Sequence, residues 1–320
     1  MRQAISIELD GQYLHGTFHE GASPRKRGVL FLNSGAQPRS GRGDFNVGLA
    51  DALALQGYPS FRFDLPGLGD SEGSLPSHYL AFAQFLIQGG YASCAVKLTR
   101  LLLETYQLED IVLLGLCGGA ITAVHAASSL TREELAGLVL LDVRFERYDN
   151  PSVPGAKGAG KKPFGSTVIA RARLWRERIR GLVLKQRWAP RLVRFYLQAR
   201  NMLRSVNKNQ LPRDTNVDLM NLFFRLLSQR MPMLIFSARS PGPQPHSFDY
   251  IDYLRRSAKG TFQHMDLDDV GHSFVENGAP AVVQEAVLRW LSGNTLRTDG
   301  AGALGEPKRE APSCQSEQRV

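Results

Sequence analysis

Residues 110–129 read DIVLLGLCGGAITAVHAASS, and the reading of this stretch decides the fold. Ile111 to Leu116 contains no polar side chain and has the length of a strand buried on both faces. Gly115-Leu116-Cys117-Gly118-Gly119 follows, and then a run of small residues with helical character. Strand, Gly-x-Cys-x-Gly and helix is the layout that holds one side chain out on a sharp turn. Glycine is required at 115 and 119 because a Cβ there would meet neighbouring backbone. Ala120, Ala123 and Ala126 let the helix lie close on a sheet. A cysteine beside a tight turn can equally be a small buried side chain. The surrounding pattern has to separate the two.

Working outward, strand-like and helix-like segments alternate. AISIEL and QYLHGTF flank Asp10-Gly11, a hairpin signal. GVLFLN (28–33) is a buried strand, DFNVGLADALALQ (44–56) a helix closed by Gly57, and SFRFDL (60–65) a strand. A helical stretch over 76–106 is interrupted at Gly89-Gly90, and strand 110–116, the helix after Cys117 and strand 135–143 follow. After a break, strand 231–238, helix 247–256, strand 261–267 and helix 278–292 resume the alternation. This predicts an α/β fold: right-handed βαβ units around a mostly parallel central sheet with helices on both faces.

The break carries the charge. The chain of 320 residues has a net charge of +9, yet residues 145–230 hold 19 Lys/Arg against 5 Asp/Glu, so the remainder is net negative. We read residues 1–144 and 231–292 as the α/β core, 145–230 as a basic helical cap insertion and the polar 293–320 as a disordered tail. The cap segment VIARARLWRERIRGLVLKQRWAPRLVRFYLQARNMLRS mixes cations with apolar residues at helical spacing. It suits an apolar face over a site, an anionic carrier-bound acyl substrate, or peripheral contact with an anionic membrane surface such as the inner membrane. No nucleic-acid motif accompanies the charge. Three cysteines make no disulfide framework, no apolar run spans a bilayer, and the N-terminus lacks a signal-peptide core, so a cytoplasmic protein is expected. SGRGD (40–44) and PGLGDSEG (66–73) are not dinucleotide cradles, and no zinc-like spacing appears, so neither cofactor nor metal is expected. Asp64 and Asp70 read as turn residues.

Over residues 1–292 the chain resembles the α/β-hydrolase superfamily. The segment NSGAQPRSGRGDFNVGLADALALQGYPSFRFDLPGLGDSEG together with GLCGG resembles the hydrolases that accompany exosortase A systems in bacterial envelope and exopolysaccharide gene clusters. The resemblance implies an enzyme with esterase or thioesterase chemistry on a small-molecule or carrier-bound acyl substrate. Dienelactone hydrolases and polyester synthases are relatives that also carry Cys at this turn. It also implies an oxyanion loop at SGAQ after the first parallel strand, with the Ala36 N–H beside that of Gly118, and a catalytic His272 in VGHSF. The usual acid position, after strand 231–238, falls on Ser240, which cannot stabilise an imidazolium. Asp142, at the end of the strand after the Cys117 helix, is where some members hold their acid, and we prefer it to Asp249, Asp252, Asp268 and Asp269.

Chemistry supports a thiol here. A thiolate is stabilised by a helix N-terminus and an imidazolium, and a resting thiolate–imidazolium pair needs the acid less than a serine would. The sequence is thus compatible with a hydrolase, with an acyltransferase using the same acyl-cysteine, and with a non-catalytic descendant that binds a partner or membrane through its basic segment. His264 and His125 read as packing or surface residues.

Overall fold

The computed structural model of the chain describes residues 1–21, 23–147, 211–239, 248–258, 260–276 and 278–293. Asp10 and Gly11 both take positive φ (54° and 73°), which suits the tight turn joining β1 (Arg2–Leu9) to β2 (Gln12–His19). The alternating elements follow: β3 (Arg27–Leu32), α1 (Phe45–Leu55), β4 (Ser60–Phe63), α2 (Tyr79–Ile87), α3 (Ala92–Thr105), β5 (Asp110–Leu116), α4 (Gly118–Ala127) and β6 (Leu135–Leu141). Beyond the break come α5 (Val217–Ser228), β7 (Met233–Arg239), α6 (Tyr250–Ser257), β8 (Gln263–Asp268) and α7 (Ala279–Leu291). The eight strands form one sheet in the order β1-β2-β4-β3-β5-β6-β7-β8. β1 and β2 are antiparallel to their neighbours, and the six strands from β4 to β8 run parallel to each other.

Two cores follow from the period-2 alternation of the strands. Leu113 and Leu138 face a layer that includes α3, α4 and α5, with Leu98, Leu102, Val124 and Phe223 buried there. Val112, Leu114 and Val139 face α1 and α7, with Leu49, Leu53, Val283 and Val287. Because β3 to β8 are parallel, their C-terminal ends share one edge, where ligands of open α/β sheets bind.

One boundary is corrected. The cap insertion was expected to run to residue 230, but α5 packs against α4, and Leu219, Met220, Phe223, Leu226 and Leu227 are fully buried in the central core. Its apolar residues recur at helical spacing, as a crossover helix between β6 and β7 requires. The chain is therefore in the α/β body again by Leu211, which packs on the same core. The basic segment 148–210 and the tail 294–320 lie outside the described residues. Among the described residues no helix is long and apolar enough to cross a membrane.

If α5 is core rather than cap, truncating it is costly. Phe223→Ala should lower the unfolding free energy by about 3–5 kcal/mol in urea denaturation. A loss under about 1 kcal/mol would assign the helix to a separable layer.

Candidate active site

Cys117 leaves β5 at φ 54° and ψ −110°, a conformation that costs a non-glycine residue about 1–3 kcal/mol. The surroundings hold it there. A Cβ on Gly115 would lie 2.2 Å from the Gly119 carbonyl carbon, and one on Gly119 would lie 2.6 Å from the Leu32 carbonyl oxygen. Both glycines are thus needed for β5, α4 and β3 to approach this closely. The Cys117 N–H donates to the Leu141 carbonyl at 2.9 Å, and the side chain stays partly exposed at the N-terminus of α4. Cys117 is therefore at the tip of a sharp bend, although apolar side chains of the α1/α7 core pack against it.

The sheet register supplies the acid. Leu116 pairs with Leu141, so Cys117 and Asp142 are the next residues on two adjacent strands. Asp142 turns out of β6 at φ 44°, with its N–H bonded to the Phe236 carbonyl at 2.8 Å. Its Oδ2 accepts a short hydrogen bond from His272 Nδ1. His272 lies in the turn after β8, anchored by Val270 N–H to the Arg239 carbonyl (3.2 Å) and by the fully buried Phe274, at φ 55°, in the α1/α7 core. The bond to Asp142, and then the adjacent Cys117 thiol, push the His272 pKa up to about 9 against the opposing effect of burial. Cys117, His272 and Asp142 are thus brought together.

The expected oxyanion residues also converge. The Gly35 amide nitrogen would be 3.0 Å from a Cβ on Gly118, so the 34–37 turn packs on the start of α4. Gly35 takes φ 57° in this turn, which the Gln37 N–H closes on the Ser34 carbonyl (3.1 Å). Among the described residues the N–H groups of Gly118 and Ala36 have no acceptor, so both can meet a developing negative charge.

Two of the alternative acids are engaged on α6. Asp249 caps α6 through the Asp252 N–H (2.8 Å), and Asp252 pairs with Arg256 at 2.9 Å. Ser240 lies outside the described residues. His264 is held by Ser237 and Arg255, each at 3.0 Å, and His125 by the Ile87 carbonyl at 3.1 Å, as packing residues would be. Among the described residues no cluster of His, Cys, Asp and Glu could hold a metal ion. A cavity of about 560 Å³ abuts Asp142 and His272 and is lined by Arg144, Arg239, Arg255 and His264, but it does not reach Cys117.

Two features escaped the sequence reading. Arg144 Nη2 lies 3.4 Å from Asp142 Oδ2 and 3.3 Å from His272 Nδ1, so a guanidinium and an imidazole share one carboxylate oxygen. Only its position two residues after Asp142 hinted at this. Asn33 and Asp64, taken for a strand end and a turn residue, are buried in a network behind the 34–37 turn.

The electrostatics are testable by NMR titration. The His272 ring should titrate near pH 9, and Asp142→Asn should bring the midpoint down toward the ordinary value of 6.5. Because the folded value is raised, the pairing stabilises the fold fully below pH 6.5 and ceases to do so as pH rises through about 9.

Comparison with known proteins shows the family and the fold. The model of the "Alpha/beta hydrolase family" matches residues 15–286. No curated protein matches the chain. Among solved structures, DcsB in complex with its substrate analogue is similar at a TM-score of 0.56 and 14% identity, covering 92% of this chain and 100% of that one. The esterase PF2001 of Pyrococcus furiosus is similar at 0.55 and 13% identity, covering 92% and 91%. TT1662 of Thermus thermophilus is similar at 0.54 and 13%, covering 92% and 98%. At these identities the likeness is one of fold. The family model spans most of the chain and every described element from β3 to α6, so the chain belongs to the α/β hydrolase family and is a hydrolase.

Proposed function

We propose that the protein cleaves an ester or thioester through an acyl-enzyme on Cys117, with His272 as general acid and base and Asp142 holding the ring. The observation that carries this reading is the strained Cys117 beside an imidazole whose pKa is raised to about 9. At neutral pH that ring is protonated and holds a proton for the leaving group.

In the first half-reaction the Cys117 sulfur attacks the carbonyl carbon, and the C=O electron pair moves onto oxygen. The N–H groups of Gly118 and Ala36 receive that charge. Collapse breaks the bond to the alcohol or thiol, which takes the His272 proton as it leaves. Neutral His272 then removes a proton from water, whose oxygen attacks the acyl-cysteine. A second collapse releases the carboxylic acid and returns the thiolate–imidazolium pair. Asp142 stabilises the imidazolium and fixes the tautomer that presents Nε2 to the sulfur. The strongly basic 145–230 segment suits an acyl group on an anionic carrier, or work beside an anionic membrane. The resemblance to exosortase-associated hydrolases points to the same envelope setting.

Intact mass spectrometry with p-nitrophenyl acetate and a short acyl thioester tests this reading. Wild type should gain one acyl group on Cys117. Cys117→Ala should gain none and lose on the order of 1,000-fold in turnover, and Asp142→Asn roughly 100-fold. With an alkyl ester, whose alkoxide cannot leave unprotonated, acylation should fall as pH rises through about 9, where His272 loses its proton. With p-nitrophenyl acetate, whose phenolate leaves as the anion, acylation should not show this fall. Ester turnover that survives Cys117→Ala within a few-fold would exclude the mechanism.

A further inference from the structure

We propose that Asp64 is a positioning residue that holds the oxyanion-donor turn in register with Cys117, a role that rests on the acyl-enzyme reading above. Asp64 follows β4 and is fully buried. A buried carboxylate is tolerated only where donors surround it, and here the donors come mainly from the two ends of one short segment. Oδ1 accepts from Asn33 Nδ2 at 3.2 Å and from the Arg39 backbone N–H at 2.6 Å. Oδ2 accepts a short bond from the Arg39 guanidinium and one from the Asp70 N–H at 3.3 Å. Residues 33 and 39 bracket the turn that carries the Gly35 and Ala36 amides, so one side chain ties both ends of it.

The clamp is braced from behind. Asn33 Oδ1 accepts from the Leu65 N–H at 3.1 Å, while its Nδ2 also donates to the Gln37 carbonyl at 3.1 Å. Arg39 bridges onward to Asp70 at 2.8 Å, and its carbonyl accepts from the buried Arg62 at 3.2 Å. Gly69 leaves no slack: it sits at φ 50°, where a Cβ would fall 2.1 Å from Asp64 Oδ2. Inside the ring of bonds, the Ala36 N–H itself has no acceptor among the described residues. The network thus spends its donors on holding the turn and leaves this one for the substrate.

Two reactions of the same sulfur separate positioning from general structural support. Alkylation by iodoacetamide builds no oxyanion, whereas acylation by p-nitrophenyl acetate does. In Asp64→Asn the acylation rate should fall roughly 10- to 100-fold, up to the loss of one oxyanion donor, with KM and the alkylation rate within about threefold of wild type. Arg39→Met removes the guanidinium but keeps the backbone donor; it should show the same split at smaller amplitude, and it decides the matter if Asp64→Asn does not fold. Parallel losses of acylation and alkylation, or unchanged acylation in a folded variant, would overturn the proposal. A wild type that is alkylated but never acylated would instead overturn the Cys117 reading, and this proposal with it.

Discussion

The site depends on a backbone constraint: Cys117 is forced into positive φ where β5 passes into α4. Regular strand geometry would direct its side chain into a sheet face, among aliphatic neighbours. At φ 54° and ψ −110° the sulfur stands instead at the C-terminal edge of the sheet, with the first turn of a helix beneath it. The strain is sustained by packing on three sides, since Gly115 and Gly119 allow β5, α4 and β3 to approach within distances no side chain would permit. Positioned there, a thiol meets the three influences that govern its reactivity: a helix N-terminus, an imidazole and unspent amide hydrogens.

Much of this was legible in the sequence because the relevant signals are local. Gly-x-Cys-x-Gly after an apolar run announces its own geometry, and the hairpin turn, the parallel strands and His272 in its Gly-flanked loop are each read from a few neighbouring residues. Asp142 was reachable for a different reason: Ser240 lacks the charge the role requires, and the resemblance implies that some members hold their acid at the end of the strand after the Cys117 helix. What stayed hidden depends on contacts across large sequence gaps. Asp64 looked like a turn residue because nothing nearby reveals that Asn33 and Arg39 fold back on it. Arg144 likewise meets His272 only through the sheet.

The insertion boundary was misplaced for an instructive reason. Charge is a property of composition, and it was counted over the whole of 145–230, although 16 of the 19 Lys/Arg there lie before residue 211. Burial is a property of periodicity. α5 keeps Arg225 exposed while Leu219, Phe223 and Leu226 turn inward onto the core beside α4. A charge summed over a whole insertion thus hides a crossover helix of the core at its end, and the apolar spacing marks where the body begins.

The pairing of Leu116 with Leu141 has a mechanical corollary. Thiol and carboxylate leave the sheet as consecutive continuations of one hydrogen-bonded ladder, so bending or twisting of the strands carries them together. Their spacing is set by the most rigid part of the molecule. The imidazole comes from a different element, the turn beyond β8, and is tied to that pair through Asp142.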